Sequence, residues 1–217
     1  MIQLDRAERL LAYGIAALAG YVDATGFLAA DRYFVSFMSG NTTRLGVELA
    51  LGTHAAAVAG GLIVGFTLGV AMGAVAAERT LRRRKSTVLA LCCALLLLAA
   101  TGHALGSTPA FLGGSVLAMG AINNVFRRDG GVALGITYMT GALVRMGEGL
   151  ASLLTGQKGR KGAVASLILW ASLAGGAVAG ALASRAMPGV VPWTSPLILL
   201  ALFGFAKWVE FRASIRG

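Results

Sequence analysis

The fold of this chain is decided by a motif that reads Phe37-Met38-Ser39-Gly40-Asn41-Thr42-Thr43-Arg44-Leu45-Gly46 and returns 101 positions later as Tyr138-Met139-Thr140-Gly141-Ala142-Leu143-Val144-Arg145-Met146-Gly147. The methionine, both glycines and the arginine are identical in the two copies. Each copy sets a hydroxyl, a glycine and an arginine inside otherwise apolar sequence. The chain therefore contains an internal repeat, and its polar positions require an explanation.

The composition indicates an integral membrane protein. Of the 217 residues, 57% are hydrophobic and only 13% are charged, with a mean hydropathy of +0.76. Soluble domains carry about 25% charged residues. The net charge of +10 comes from basic residues in short stretches between apolar runs, as in cytoplasmic loops, so we expect a lipid bilayer and no nucleic acid as partner. Cys92 and Cys93 are adjacent, which predicts neither a disulfide framework nor a metal site.

Six apolar runs are each about long enough to cross a hydrocarbon core, which takes roughly 20 residues. The two motif segments, residues 35–52 and 134–156, are more polar. Each opens with β-branched and aromatic residues and then reaches Ser39 or Thr140, so we expect an extended lead into a short helix that the hydroxyl caps, near 39–52 and 140–156. The six runs are 10–29, 56–77, 87–106, 108–126, 163–184 and 190–206.

The distribution of basic residues predicts how the motif segments meet the membrane. If both segments cross it, the seventeen Lys and Arg residues outside the motifs divide nine to eight between the two sides. If both are re-entrant, the division is fifteen to two, with only Arg32 and Arg185 on the minority side. Cytoplasmic loops carry an excess of basic residues. We therefore predict an all-α membrane protein with six transmembrane helices, two re-entrant or broken half-helices, and both termini cytoplasmic.

The repeat extends beyond the motif, since Gly20-Tyr21-Val22-Asp23 matches Gly120-Ala121-Ile122-Asn123. Three spans per repeat would place the copies in opposite orientations, so the sequence predicts an inverted 3+3 repeat, common among transporters, within one membrane domain. The first repeat covers residues 1–106 and the second 107–217. Small residues four apart, which favour close helix packing in lipid, occur at corresponding places in the second span of each repeat. These stripes are Gly61, Gly65, Gly69 and Gly73 in the first repeat and Ser172, Gly176, Gly180 and Ser184 in the second.

Short motifs spread over the whole chain carry a family signature. They are Gly20-Tyr21-Val22-Asp23-Ala24 with Phe27, then Phe37-Met38-Ser39-Gly40-Asn41-Thr42, then Met119-Gly120, Asn123-Asn124, Arg127-Arg128 and Tyr138-Met139-Thr140-Gly141. This pattern resembles the YoaK-like family of bacterial inner-membrane proteins, whose function is unknown. The resemblance implies that the protein is a multi-pass protein of the bacterial inner membrane, and it implies the number of spans. It does not imply a substrate.

The starts of the two half-helices form the predicted binding site. If they meet near the membrane midplane, their free N–H groups and positive dipole ends attract an anion. Arg44 and Arg145 follow one turn later and could hold a carboxylate. The structural alternative is that each arginine only locks the fold. The predicted substrate-binding residues are Ser39, Gly40, Asn41, Thr42, Arg44, Asn123, Asn124, Thr140, Gly141 and Arg145.

Asp23 is the candidate proton-coupling residue. It stands within the first span, and its counterpart in the second repeat is the neutral Asn123, so only one of the two matched sites can titrate. A buried carboxylate must be paired, solvated or protonated. A static bridge between Asp23 and Arg44 is the alternative.

The leading hypothesis from sequence is a secondary transporter of a small anionic or zwitterionic solute, with proton coupling through Asp23. A channel for a small solute or ion is one alternative. The other is a non-transporting scaffold or lipid-binding regulator, in which the glycine stripes could form a homodimer. The sequence shows no hydrolase triad, zinc-ligand spacing or phosphate-binding glycine loop. We therefore expect no enzyme activity, no cofactor and no metal.

Overall fold

The computed structural model describes residues 4–80, 83–128, 131–132, 135–155 and 162–216. Eight α-helices build the fold within these ranges. The two motif helices are α2 (Met38–Ala50) and α6 (Met139–Leu154). A 3-10 turn, Ile122–Asn124, follows α5, and two-residue strands β1 (Arg127–Arg128) and β2 (Gly131–Val132) pair antiparallel. The other helices are α1 (Arg6–Ala29), α3 (Ala55–Arg79), α4 (Arg84–Ala104), α5 (Thr108–Ala121), α7 (Ala163–Ala186) and α8 (Val191–Arg216).

Four of these helices, α1, α3, α4 and α7, are long and apolar enough to cross a membrane. The expectation of an all-α membrane protein is thus confirmed. Of the six predicted spans, four correspond to these four helices. The α5 helix has only 14 residues, because the Asn124 side chain bonds the Ala121 carbonyl at its end and the chain tightens into the 3-10 turn. The α8 helix continues through Pro196, and the Ser195 hydroxyl donates to the Pro192 carbonyl that proline leaves without its usual partner.

Two helix pairs, α1 with α7 and α3 with α5, pack with their backbones in contact. A Cβ atom added to Gly176 would collide with the Ala17 carbonyl oxygen, and one added to Gly69 would collide with that of Leu117. Since small residues let helices approach this closely in lipid, the sequence expectation of close packing holds for these glycines.

The close contacts in the two pairs correspond one to one. Positions in α1 and α5 differ by 100, and positions in α3 and α7 differ by 107. This corrects the stripe alignment expected from sequence by one turn, because a four-residue period matches equally well at every turn. The corresponding contacts are Gly20 on Leu173 and Gly120 on Phe66, Gly176 on Ala17 and Gly69 on Leu117, and Gly180 on Tyr21 and Gly73 on Ala121.

Polar contacts tie five helix ends together at one end of the bundle, which we call the basic end. Glu210 of α8 accepts from the Lys85 and Ser86 amides at 2.7 and 3.1 Å and from the Ser86 hydroxyl at 2.6 Å, at the start of α4. Lys85 also pairs with Glu8 of α1 at 3.1 Å. Arg127 of β1, in the chain that follows α5, pairs with Glu78 at the end of α3 at 2.8 Å, and Arg84 donates to the Arg127 carbonyl.

The half-helices pack outside this core. The α2 helix lies along α3, to which residues 51–54 connect it, and α6 lies along α7. Contacts of Leu45 with Gly60, and of Arg145 with Ser166, show that each half-helix runs back antiparallel to the long helix that follows it. Most of the α2 and α6 surface is exposed at the periphery of the bundle.

Candidate functional site

Asp23 holds the segment that leads into α2, residues 31–37. Its Oδ1 atom accepts hydrogen bonds from the Val35 amide at 2.7 Å and the Ser36 amide at 2.9 Å, and the Ser36 side chain also bonds the carboxylate. The segment forms bends and not a β-strand, so its amides have no ladder partner. Since buried backbone groups need hydrogen-bond partners, Asp23 takes the place of a neighbouring strand.

Asn41 completes this support from the helix side. Its Oδ1 accepts from the Phe34 amide at 3.1 Å, and its Nδ2 donates to the Phe34 carbonyl at 2.7 Å. The side chain is fully buried. Both hydrogen-bonding groups of the carboxamide therefore serve the protein backbone, which makes Asn41 a structural residue.

Arg44 binds the loop between α1 and α2. Its Nη1 donates to the carbonyls of Asp31 and Arg32 at 2.8 and 2.7 Å, and its guanidinium lies 3.8 Å from the Tyr33 ring centroid. Asp31 and Arg32 have φ angles of +43° and +61°, which non-glycine residues rarely adopt, so the arginine stabilises a costly turn. The Asp23–Arg44 bridge considered from the sequence is wrong: backbone amides occupy the carboxylate, and backbone carbonyls occupy the guanidinium.

The expected hydroxyl caps are also wrong. The α2 helix begins at Met38 after Phe37, the α6 helix begins at Met139 after Tyr138, and neither start has a side-chain cap. Ser39 already lies inside the helix, and Thr42 donates to the Met38 carbonyl at 2.8 Å. Hydroxyls at interior positions commonly bond the carbonyl four residues earlier.

In the second repeat, Asn123 holds the segment that leads into α6. We call this segment, residues 135–138, and its counterpart before α2, residues 31–37, the leads. The Asn123 Oδ1 accepts from the Thr137 amide at 3.4 Å and hydroxyl at 3.2 Å, while its Nδ2 donates to the Met119 carbonyl at 2.9 Å. Asn124, also buried, donates to the Val70 carbonyl in α3 at 3.0 Å. Both carboxamides therefore have structural partners.

Asp23 and Asn123 perform the same task in the two repeats. Asp23 lies in α1 and Asn123 in the 3-10 turn after α5, and each side chain accepts hydrogen bonds from the backbone just before the motif helix of its repeat. The neutral carboxamide shows that this tether needs an acceptor and no charge. The ability of the side chain at position 23 to ionise is therefore additional to the structural role.

The two half-helix starts do not pack against each other. The extended contacts of α2 are with α3 and those of α6 are with α7, so the predicted site between two facing helix ends is not closed in the described part of the chain. A Cβ at Gly40 would lie 2.6 Å from the Phe37 ring, so this glycine is needed for packing, whereas Gly141 has space. Arg145 is exposed and donates to the Ser166 hydroxyl at 2.9 Å.

Several contributors to this region were not foreseen from the sequence. The rings of Phe27, Phe34 and Phe37 form a cluster with centroid distances of 4.9 and 5.2 Å. The Tyr33 hydroxyl donates to the Ala55 carbonyl at the start of α3. The sequence signal for these contacts is the aromatic pair Tyr33-Phe34, which by itself predicts extended backbone and not an aromatic cluster.

The apolar helices and their glycine-mediated packing define a multi-pass α-helical membrane protein. Residues 11–205 match the family described as a protein of unknown function, DUF1275, and the chain belongs to this family. A "UPF0700 transmembrane protein" of Rhizobium meliloti (strain 1021) is 36% identical over 202 residues, which cover 93% of this chain and 87% of the relative. No solved structure matches the chain. The resemblance to an uncharacterised bacterial membrane family is thus confirmed.

Proposed function

We propose that the protein is a secondary transporter of a small anionic or zwitterionic solute in the bacterial inner membrane, with Asp23 as its proton-coupling residue. It would have six spans and two re-entrant half-helices in an inverted 3+3 repeat. The observation that carries the proposal is the recurrence of the helix contacts at constant offsets, since transporters are commonly built from such repeats.

The basic end supports the proposed orientation. Its contacts join the starts of α1 and α4 to the ends of α3, α5 and α8, as six alternating spans require. These helix ends carry most of the basic residues of the chain, and such residues favour the cytoplasmic side. Both termini would then be cytoplasmic, and the re-entrant leads would enter from opposite faces.

The charge of Asp23 supports proton coupling. Holding the lead requires only an acceptor, as Asn123 demonstrates, and an ionisable group within a span is costly unless it serves a function. Protonation would weaken the acceptor of the Val35 and Ser36 amides. Loading Asp23 with a proton would therefore loosen the lead of the first repeat and not that of the second.

The half-helix starts support the solute class. Neither has a side-chain cap or an acidic residue in its first turn, so the positive end of each helix dipole is left uncompensated. Four of the predicted binding residues have structural partners, and we assign them a structural role; they are Asn41, Arg44, Asn123 and Asn124. The proposed solute-binding positions are then Ser39, Gly40, Thr42, Thr140, Gly141 and Arg145.

The test uses the purified full-length protein in proteoliposomes that contain a pH-sensitive dye. A panel of monocarboxylates, dicarboxylates and amino acids is first screened for thermal stabilisation of the protein, and solutes that stabilise are then offered to the vesicles. We expect at least one solute to drive proton movement in the wild type and none to do so in Asp23→Asn. Solute flux that is unchanged by Asp23→Asn would disprove coupling, and flux that never saturates would indicate a channel.

A separate experiment tests the orientation. In a background without Cys92 and Cys93, single cysteines at Arg32 and Arg83 should react with an impermeant thiol reagent from opposite sides of the membrane. Labelling of both from one side would contradict the six-span arrangement, whatever the transport assay shows.

A further inference from the structure

We infer that the basic end contains a binding site for a phosphate group, centred on the Arg84 guanidinium. Arg84 is partly buried at the start of α4, where one Nη1 bond goes to the Arg127 carbonyl. Its Nε atom is buried and has no hydrogen-bond partner among the described residues. Because a buried charged donor without a partner is costly, this atom indicates a missing acceptor.

The charges around Arg84 favour an anion as that acceptor. In the described part of the chain, the salt bridges at this end use Glu8 for Lys85 and Glu78 for Arg127. Glu210 is occupied by the amides at the start of α4. No carboxylate pairs with Arg79, Arg83 or Arg84 in that part, so three cations lie on and beside the turn from α3 to α4 without a counter-ion.

The chemistry of arginine favours an oxyanion, and phosphate is the oxyanion that lipids supply at the membrane interface. A guanidinium presents planar, parallel N–H donors, and such a fork matches the oxygens of a carboxylate or a phosphate group. The Nε atom and one Nη atom of Arg84 form one side of this fork. Arg83 and Arg79 are exposed neighbours that can add charge without being fixed in place.

The position of the site indicates a lipid headgroup as its natural source of phosphate. At the same end of the bundle, Trp208 of α8 stacks on Phe205 at a centroid distance of 5.5 Å, and Arg212 lies 5.3 Å from the Trp208 ring. Tryptophan beside basic residues is typical of the membrane interface, where the phosphates of the lipids lie. The site is independent of the proposed transport function.

The test measures binding of short-chain phosphatidylglycerol, short-chain diacylglycerol, which has no phosphate, and inorganic phosphate to the full-length protein in neutral detergent, by thermal shift and by native mass spectrometry. We expect phosphatidylglycerol to bind the wild type and Arg84→Gln to lose more than about tenfold in affinity, since a charge-assisted buried bond is removed. The control is Arg9→Gln, which removes an exposed charge on α1 and should cost no more than about fivefold. Equal losses in the two variants would overturn the site.

The lipid and phosphate arms identify the source. Stabilisation by phosphatidylglycerol alone assigns a lipid headgroup, and equal stabilisation by inorganic phosphate assigns a free phosphate group at the same arginine. If Arg84→Gln does not fold, the wild type still decides, because the absence of any preference for phosphatidylglycerol or phosphate over the phosphate-free diacylglycerol would disprove the site. Arg84→Lys, which keeps the charge but removes the fork, should bind less tightly than the wild type.

Discussion

The two segments that lead into the motif helices α2 and α6 occupy corresponding positions in the repeated sequence but are held very differently. Residues 31–36 are bonded by the side chains of Asp23, Asn41 and Arg44. In the second repeat, the Thr137 amide and hydroxyl donate to the Asn123 side chain. Within the described residues, the two copies therefore share one such support, and the first copy has two more and an ionisable group.

This difference shows which half of the molecule depends on polar side chains. Ala142 and Arg145 occupy the positions that correspond to Asn41 and Arg44 of the first repeat. Ala142 is a buried apolar side chain, and Arg145 donates to the Ser166 hydroxyl of α7. The segment before α2 is thus held by side-chain hydrogen bonds that a mutation can remove or that protonation of Asp23 can weaken. The variants below remove these supports one at a time, and we order them by their expected effect on stability.

The largest loss is expected for Asp23→Ala. The change leaves the Val35 and Ser36 amides without their acceptor, and two bonds to a charged group are worth about 3 kcal/mol together. Chemical unfolding of the purified protein in detergent measures the free energy. The matched variant is Asn123→Ala, which should cost about 1 kcal/mol because its bonds to Thr137 are longer and neutral. Equal losses would mean that the two tethers do not differ in strength.

Asn41→Ala, which copies the residue of the second repeat, is expected to cost about 2 kcal/mol. It leaves both the amide and the carbonyl of Phe34 without a partner in a buried position. The unfolding free energy measures the effect, and hydrogen exchange at residues 33–36 should accelerate. A neutral result would show that water replaces the carboxamide, so that the lead is more open than the structure indicates.

Arg44→Gln is expected to cost about 1 kcal/mol, since its carbonyl bonds lie near the surface. Arg145→Gln should change the unfolding free energy by less than about 0.5 kcal/mol, because Arg145 is exposed and makes one bond to a neutral hydroxyl. The comparison separates the two roles of the arginines. In the solute screen, Arg145→Gln should lower the thermal stabilisation by the solute, whereas Arg44→Gln should leave it unchanged. The reverse result would indicate that Arg44 and not Arg145 binds the solute.

Much of this organisation could be predicted from the sequence, and the reasons for the failures are physical. The apolar runs located the long helices, and the repeated motif located the starts of α2 and α6 to within one residue. Helix α1 begins four residues before the predicted run, because Asp5 and Glu8 form a capping box. A run of apolar residues carries no signal for such a cap.

The candidate site was predicted less well because partners in space decide each role. From the sequence, Asp23 and Arg44 suggest a pair, yet both bind backbone groups exposed by bends in residues 31–36. Those bends depend on the aromatic cluster and on two residues with positive φ, which no periodicity reports. The equivalence of Asp23 and Asn123, by contrast, was visible in the sequence, and the structure gives it a common task.

Asp23→Asn should have a small effect on stability and the largest effect on function. The variant gives the first repeat the same tether that the second repeat already uses, so the unfolding free energy should fall by less than about 1 kcal/mol. Proton movement in proteoliposomes should nevertheless be lost, because the carboxamide cannot titrate. The converse variant, Asn123→Asp, places a second carboxylate at the matching position and tests whether charge alone confers coupling. If Asp23→Asn unfolds the protein as severely as Asp23→Ala, the charge belongs to the tether itself, and the functional difference between the two repeats disappears.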